Sequence, residues 1–159
     1  MMAAIIFVIT WTIRIPLPFS SAGGYINLGD AAIYFSGALL GPVGGFFAAA
    51  VGSMLADVLA GAMVYAVPTF FIKGLMGLTS GYIMMKQKSF KAFALAAFLG
   101  GLIMLSGYFV YEYFMFDPIY AKAALPFNVI QWLGSGVLAL PLYKVLSKSR
   151  ALFQEGKNE

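Results

Sequence analysis

Cysteine and histidine are both missing from this 159-residue chain. Without them there is no disulfide, no thiolate nucleophile, no Cys/His zinc site and no imidazole base, which excludes most familiar hydrolytic chemistry. Charge is scarce as well. Asp, Glu, Lys and Arg make up 10% of the residues, where a soluble domain carries about 25%. What remains cannot cover a water-facing surface. The sequence lacks G-x-x-x-x-G-K-[ST], so it does not hydrolyse ATP by that route. It shows no convincing inverted repeat of the kind that builds secondary transporters. Nothing in it asks for a cofactor, a metal ion or nucleic acid.

What is present is apolar: 62% of the residues are hydrophobic. The uncharged stretches Ala31 to Ala56, Ala92 to Tyr111 and Ala123 to Tyr143 each reach the roughly 20 residues that cross a bilayer core. They lack the alternation of barrel strands, and lipid offers a backbone group no partner, so the spans are helical. The expected fold class is an all-α integral membrane protein with six transmembrane helices, at about 1–16, 30–42, 43–62, 66–85, 92–116 and 124–147. Gly41-Pro42 is expected to turn the chain back between the second and third, and Pro68 to occupy the first turn of the fourth. "MMAAIIFVITWTIRIP" lacks the basic start of a signal peptide and reads as a first span. It is short for one, so either it is little tilted or the natural chain begins further upstream.

Most of the ten cations fall in two places, Lys86, Lys88 and Lys91 in one loop and Lys144, Lys148, Arg150 and Lys157 near the C-terminus. The positive-inside rule places both, and the N-terminus, in the cytoplasm. Residues 1–150 are then one six-helix transmembrane domain and 151–159 a polar cytoplasmic tail.

The polar side chains within the spans share one depth. Asp57 lies about five residues from the outer end of its helix and Lys73 about seven from the outer start of the next, so both sit on the order of 10 Å below the outer edge. Glu112, Asn128 and Gln131 are near outer ends too, Arg14 ends the first helix, and Asn27 and Asp30 close the first outer loop at the mouth of the second. Ionisable groups in a membrane are costly and mark a ligand or ion path. Tyr108 and Glu112, four apart, share a face, as do Asn128 and Gln131, three apart. With Tyr25, Tyr108, Tyr111 and Trp132 as candidate stacking planes, this is a pocket open to the outside, suited to a small flat polar heterocycle. Asp57 and Lys73 are equally compatible with a structural bridge across the hairpin between their helices.

A small-residue stripe, Gly44, Ala48, Gly52, Ala56 and Ala60, recurs every fourth residue, and Gly74, Gly77 and Gly81 do something similar. Such stripes let helices approach closely, within the chain or against a second membrane protein.

The blocks "GGYINLGDAAIYFSGALLGPVGGFFAAAVGSMLADVLAG", "PTFFIKGLMGLTSGYI", "GYFVYEYF" and "LPFNVIQWLGSGV" span Gly23 to Val137. Together they resemble the substrate-binding S components of energy-coupling factor (ECF) vitamin transporters. The resemblance implies a six-helix S-component fold that captures a vitamin with high affinity outside. It then docks on a transmembrane coupling protein with two cytoplasmic ATPases and topples in the membrane to release its cargo. It implies that the chain is no enzyme, ATP hydrolysis belonging to its partners, and that it resides among the lipids of a prokaryotic cell membrane. By position, Asn27, Asp30, Asp57, Lys73, Tyr108, Glu112, Asn128 and Gln131 match substrate-facing blocks. The subgroup is similar to members linked with pyridoxine-type or hydroxymethylpyrimidine substrates and loosely labelled riboflavin-like. The family's alanine-rich docking motif on the first helix is incomplete, Ala3 and Ala4 being followed by Phe7 and Val8. Docking is then expected to draw on Ala3, Ala4 and the stripe Gly44, Ala48, Gly52 and Ala56.

The alternatives differ in what they would show. A stand-alone secondary transporter or channel would work without ATPases, a membrane enzyme using Glu112 or Asp57 would turn its ligand over, and a structural subunit would bind none.

Overall fold

The computed structural model describes residues 1–21 and 23–155. Five helices, α1 (Met2–Thr12), α2 (Asp30–Ala60), α3 (Met63–Lys86), α4 (Phe90–Met115) and α5 (Pro118–Glu155), surround one core. A short antiparallel hairpin, β1 (Arg14–Pro16) and β2 (Tyr25–Asn27), joins α1 to α2 with Ile15 opposite Ile26. α2, α3, α4 and α5 each hold a segment long and apolar enough to cross a membrane; α1 is shorter. Large apolar side chains face outward on every helix, with Val67, Phe114 and Val137 at 66%, 82% and 70% exposure. Such a surface is a liability in water and the natural one in lipid.

The first helix ends at Thr12 rather than 16 because Pro16 lacks an N–H and restricts Ile15 to extended backbone. Residues 14–16 pair with 25–27 instead, so the expected outer loop is an ordered hairpin. Residues 30–42 and 43–62, expected as two helices, form the single element α2, folded at Gly41 (φ 74°, ψ −174°). A Cβ on Gly45 would lie 2.7 Å from the Gly37 Cα, whereas eight residues of straight helix span about 12 Å. The chain therefore doubles back, and only glycine accepts that φ readily. The expected break at Gly41-Pro42 is present as this fold within α2. Asp30, which opens the first arm three residues after the hairpin, is fully buried rather than open to an outer mouth.

Close backbone contact holds the fold. Side chains added to Gly37, Gly77 or Gly81 would strike the facing backbone, so the α3 glycines are spent on α2. Gly52 meets the Ala3 carbonyl and Ile6, which packs α1 on the second arm of α2. Gly61, at φ 80°, ends α2 and sends the chain straight into α3.

α3 starts at Met63, so Pro68 lies inside it and not in its first turn. The helix survives because the Val64 carbonyl, which a residue with an N–H at 68 would have engaged, accepts the Tyr111 hydroxyl at 2.5 Å. α5 starts at Pro118 rather than 124. The Asp117 carboxylate caps it by accepting from the N–H groups of Ile119 (2.7 Å) and Tyr120 (2.8 Å), with proline in the first helical position. Part of the tail expected at 151–159 is α5, which runs to Glu155. Lys157 lies outside the described residues.

Lys86, Lys88, Lys91 and Lys144 gather at one end. Lys144 lies 4.6 Å from the Phe90 ring, Lys86 lies 4.4 Å from the Tyr82 ring, and Lys88 and Lys91 are exposed between them. The hairpin covers the other end.

Candidate functional site

Under the hairpin lies a cavity with about 30 Å³ of free space, room for roughly two waters. Its walls come from β2, the loops beside it and the helices α2 to α5; α1 and β1 contribute none. β2 alternates in the strand manner. Tyr25 and Asn27 face the cavity, while Ile26 packs with Leu17 and Ala124. α2 contributes Asp57, α3 Tyr65 and Thr69, α4 Tyr108 and Glu112, and α5 Asn128 and Gln131.

Of the residues expected in a pocket, Asn27, Asp57, Tyr108, Glu112, Asn128 and Gln131 converge here. Asp30 and Lys73 do not line it. They form a buried ion pair, Lys73 Nζ donating to Asp30 Oδ1 at 2.5 Å. The bridge from Lys73 to Asp57 across the hairpin does not form. Gln131 stands between pair and cavity: its Nε2 donates to Asp30 Oδ2 and its Oε1 accepts from the Asn27 N–H, both at 2.9 Å. Lys73 also lies 5.5 Å from the Tyr108 ring centroid. Tyr108 and Gln131 thus separate the ion pair from the space above.

Asp57 Oδ1 accepts from the Tyr25 hydroxyl at 2.5 Å. Burial, and then the carboxylate beside it, push the Tyr25 hydroxyl far above the usual phenol range, so it remains a donor. Thr69, a neighbour of Asp57, has its hydroxyl 2.8 Å from that of Tyr108. On the other wall the Tyr120 hydroxyl donates to Ser20 Oγ at 2.6 Å. Tyr65 lies 2.9 Å from Tyr120 and 3.3 Å from Glu112 Oε1. With the Tyr120 proton committed to Ser20, the single Tyr65 proton serves both Tyr120 and Glu112, and the carboxylate is thinly supplied.

Three polar atoms in this lining make no hydrogen bond, Asp57 Oδ2, Glu112 Oε2 and Asn128 Nδ2, with the Thr69 hydroxyl a donor beside the Asp57 carboxylate. Buried polar atoms are nearly always paired in folded proteins. Three orphans facing one small space are the chemical signature of a site that expects an occupant.

Two expected stacking planes lie elsewhere. Tyr111 is engaged with the Val64 carbonyl. The Trp132 indole covers Gly101 and donates to the Ala97 carbonyl at 3.2 Å, beside Phe98. In their place stands Tyr65, which sequence reasoning took for part of a helix break. Tyr65, Thr69 and Lys73 recur every fourth residue on one face, a pattern that takes in Tyr65 once the helix starts at Met63 rather than 66. Ala48, Gly52 and Ala56 of the small-residue stripe are buried within the chain, Ala3 and Gly44 are half-buried, and Ala4 is exposed.

The model of the family described as "ECF-type riboflavin transporter, S component" matches residues 1–148. A relative from Pyrococcus woesei, described as an uncharacterized protein in the gap 3′ region, is 35% identical over 141 residues, covering 89% of this chain and 93% of its own. The solved structure of the S component of a bacterial ECF transporter superposes with a TM-score of 0.73 at 23% identity, covering 92% of this chain and 91% of that one. Its likeness is one of fold. The chain belongs to the ECF-type riboflavin transporter S-component family.

Proposed function

We propose that this S component captures a small water-soluble vitamin or precursor from outside a prokaryotic cell, with pyridoxine-type or hydroxymethylpyrimidine compounds favoured over riboflavin. Residues 1–150 form one transmembrane domain that crosses the membrane six times, the two arms of α2 counting separately, with both termini and the lysine end cytoplasmic. The chain docks on a coupling protein with two ATPases and topples to release its cargo inside. Exposed Ala4 and half-buried Gly44 remain for docking; Ala48, Gly52 and Ala56 hold the chain's own helices.

One observation carries this reading: Asp57 Oδ2, Glu112 Oε2 and Asn128 Nδ2 are buried and unpartnered around a single cavity at the end opposite Lys86, Lys88, Lys91 and Lys144. Binding residues are Asn27, Asp57, Tyr25, Tyr65, Tyr108, Glu112, Asn128 and Gln131, with Asp30 and Lys73 as the floor that orients Gln131.

The test is thermal stabilisation and native mass of the purified protein with pyridoxine, pyridoxal, pyridoxamine, hydroxymethylpyrimidine, thiamine and riboflavin. A true ligand raises Tm by mass action and is recovered unchanged. Glu112→Gln and Asn128→Ala each weaken it by more than about 1 kcal/mol. Full affinity in both variants, or no stabilisation by any compound, would defeat the assignment.

A further inference from the structure

We infer that the cavity is built for an organic cation: a single-ring compound bearing a protonated amine, an amidinium or a quaternised ring nitrogen, together with a hydrogen-bond acceptor for Asn128. This names the ligand class of the site proposed above and rests on that reading for the site's role in uptake.

The charge balance comes first. Two carboxylates, Asp57 and Glu112, face the cavity, and among the described residues no lysine or arginine lines it. Lys73 is the cation nearest in sequence logic, but it is committed to Asp30 beneath the Tyr108–Gln131 floor. Arg14 lies on the hairpin over the rings of Trp11 and Tyr25, at 5.7 and 6.0 Å, and is not part of the lining. Each carboxylate has a tyrosine hydroxyl on one oxygen and no counter-charge in the lining; a buried carboxylate is costly without one, and a cationic ligand would supply it.

The hydrogen-bond balance agrees. The unpartnered atoms are two carboxylate oxygens, which accept, and one amide nitrogen, which donates. An occupant that satisfies all three offers at least two donors and one acceptor. The aromatic walls add a preference of the same sign. Tyr25, Tyr65 and Tyr108 line the space, and ring faces attract cations. An anionic headgroup, phosphate or carboxylate, would meet two like charges. A neutral polyhydroxylated ligand would fill the hydrogen bonds and leave the charge uncompensated.

The experiment uses pairs of compounds matched in shape and differing in charge, on the full chain in detergent: pyridoxamine against pyridoxine, and benzylammonium against benzyl alcohol as a fragment pair. We expect the cation of a binding pair to win by about tenfold or more. Asp57→Asn and Glu112→Gln, which keep shape, should each erase most of that preference, because the cation loses far more affinity than its neutral partner does. Equal or tighter binding of the neutral members, or a preference untouched by both variants, overturns the inference. Tight binding of riboflavin with no cation preference overturns it while leaving vitamin capture standing. Preference for benzylammonium with no vitamin bound upholds the cation site and removes the uptake reading. No binding by any probe removes both.

Discussion

Lys73 Nζ donates to Asp30 Oδ1 where both side chains are buried, at 2% and 0% exposure. Asp30 opens the first arm of α2 and Lys73 lies near the middle of α3, so the pair fastens the α2 fold to α3 below the cavity. Removing one partner of a buried pair strands the other, at a cost of about 3–5 kcal/mol. We expect Lys73→Met and Asp30→Asn each to lower the unfolding midpoint in detergent sharply. The double variant should recover much of the loss, because no charge is left unpaired. Additive losses would show that the two do not act as a unit.

Tyr111 supports α3 from the side. Its hydroxyl bonds the Val64 carbonyl that Pro68 cannot engage. Tyr111→Phe should cost about 1 kcal/mol of stability and leave ligand affinity unchanged, since Tyr111 does not line the cavity. Pro68→Ala supplies the missing N–H, so Tyr111→Phe in that background should cost far less. Thermal melts of the four proteins measure the coupling, and an undiminished loss would contradict it.

Depth was legible in the sequence and partnership was not. Asp57, Glu112, Asn128 and Gln131 could each be placed by counting residues from a helix end, and they meet in one cavity. The partner of Lys73 depends on how far the first arm of α2 descends. That is set by the Gly41 fold and its contact with Gly77 and Gly81, a non-local matter. Which way an aromatic faces is equally non-local: Trp132 turned to the gap over Gly101, and Tyr111 to a carbonyl freed by a proline. Tyr65 falls just outside the helix expected at 66–85, because Pro68 resembles a first-turn residue; the Val64 carbonyl that the proline leaves free is bonded by Tyr111, over forty residues away in sequence. The strands of the hairpin, three residues each, carry too little alternation to announce themselves.

The hairpin has to move for any ring to enter about 30 Å³. Its tether to the bundle is visible at Ser20, whose Oγ accepts from Tyr120 at 2.6 Å and from the Gly24 N–H at 2.8 Å. Phe19 packs edge-on against Tyr120 and Phe127 nearby. Tyr120→Phe keeps the packing and deletes the hydroxyl. We expect ligand dissociation to quicken by about five-fold, the kinetic equivalent of roughly 1 kcal/mol, with little change in Tm. Stopped-flow release of bound ligand reads this directly, and an unchanged rate would place the tether elsewhere.

Gly52 decides what the small-residue stripe is for. A Cβ there would run into the Ala3 carbonyl and Ile6, backbone and side chain of α1. Overpacking a tight contact typically costs about 1–3 kcal/mol, and Leu is larger than the clash a Cβ already creates. Gly52→Leu should therefore displace α1 and lower Tm. The cavity should keep its affinity, because α1 contributes nothing to its lining. Ala4→Leu, on an exposed position of the same helix, should leave Tm alone and weaken only assembly with the coupling protein. Measuring Tm, ligand affinity and co-purification of the complex for both variants separates internal packing from docking. Normal Tm in Gly52→Leu would mean that α1 does not rest on α2 as described.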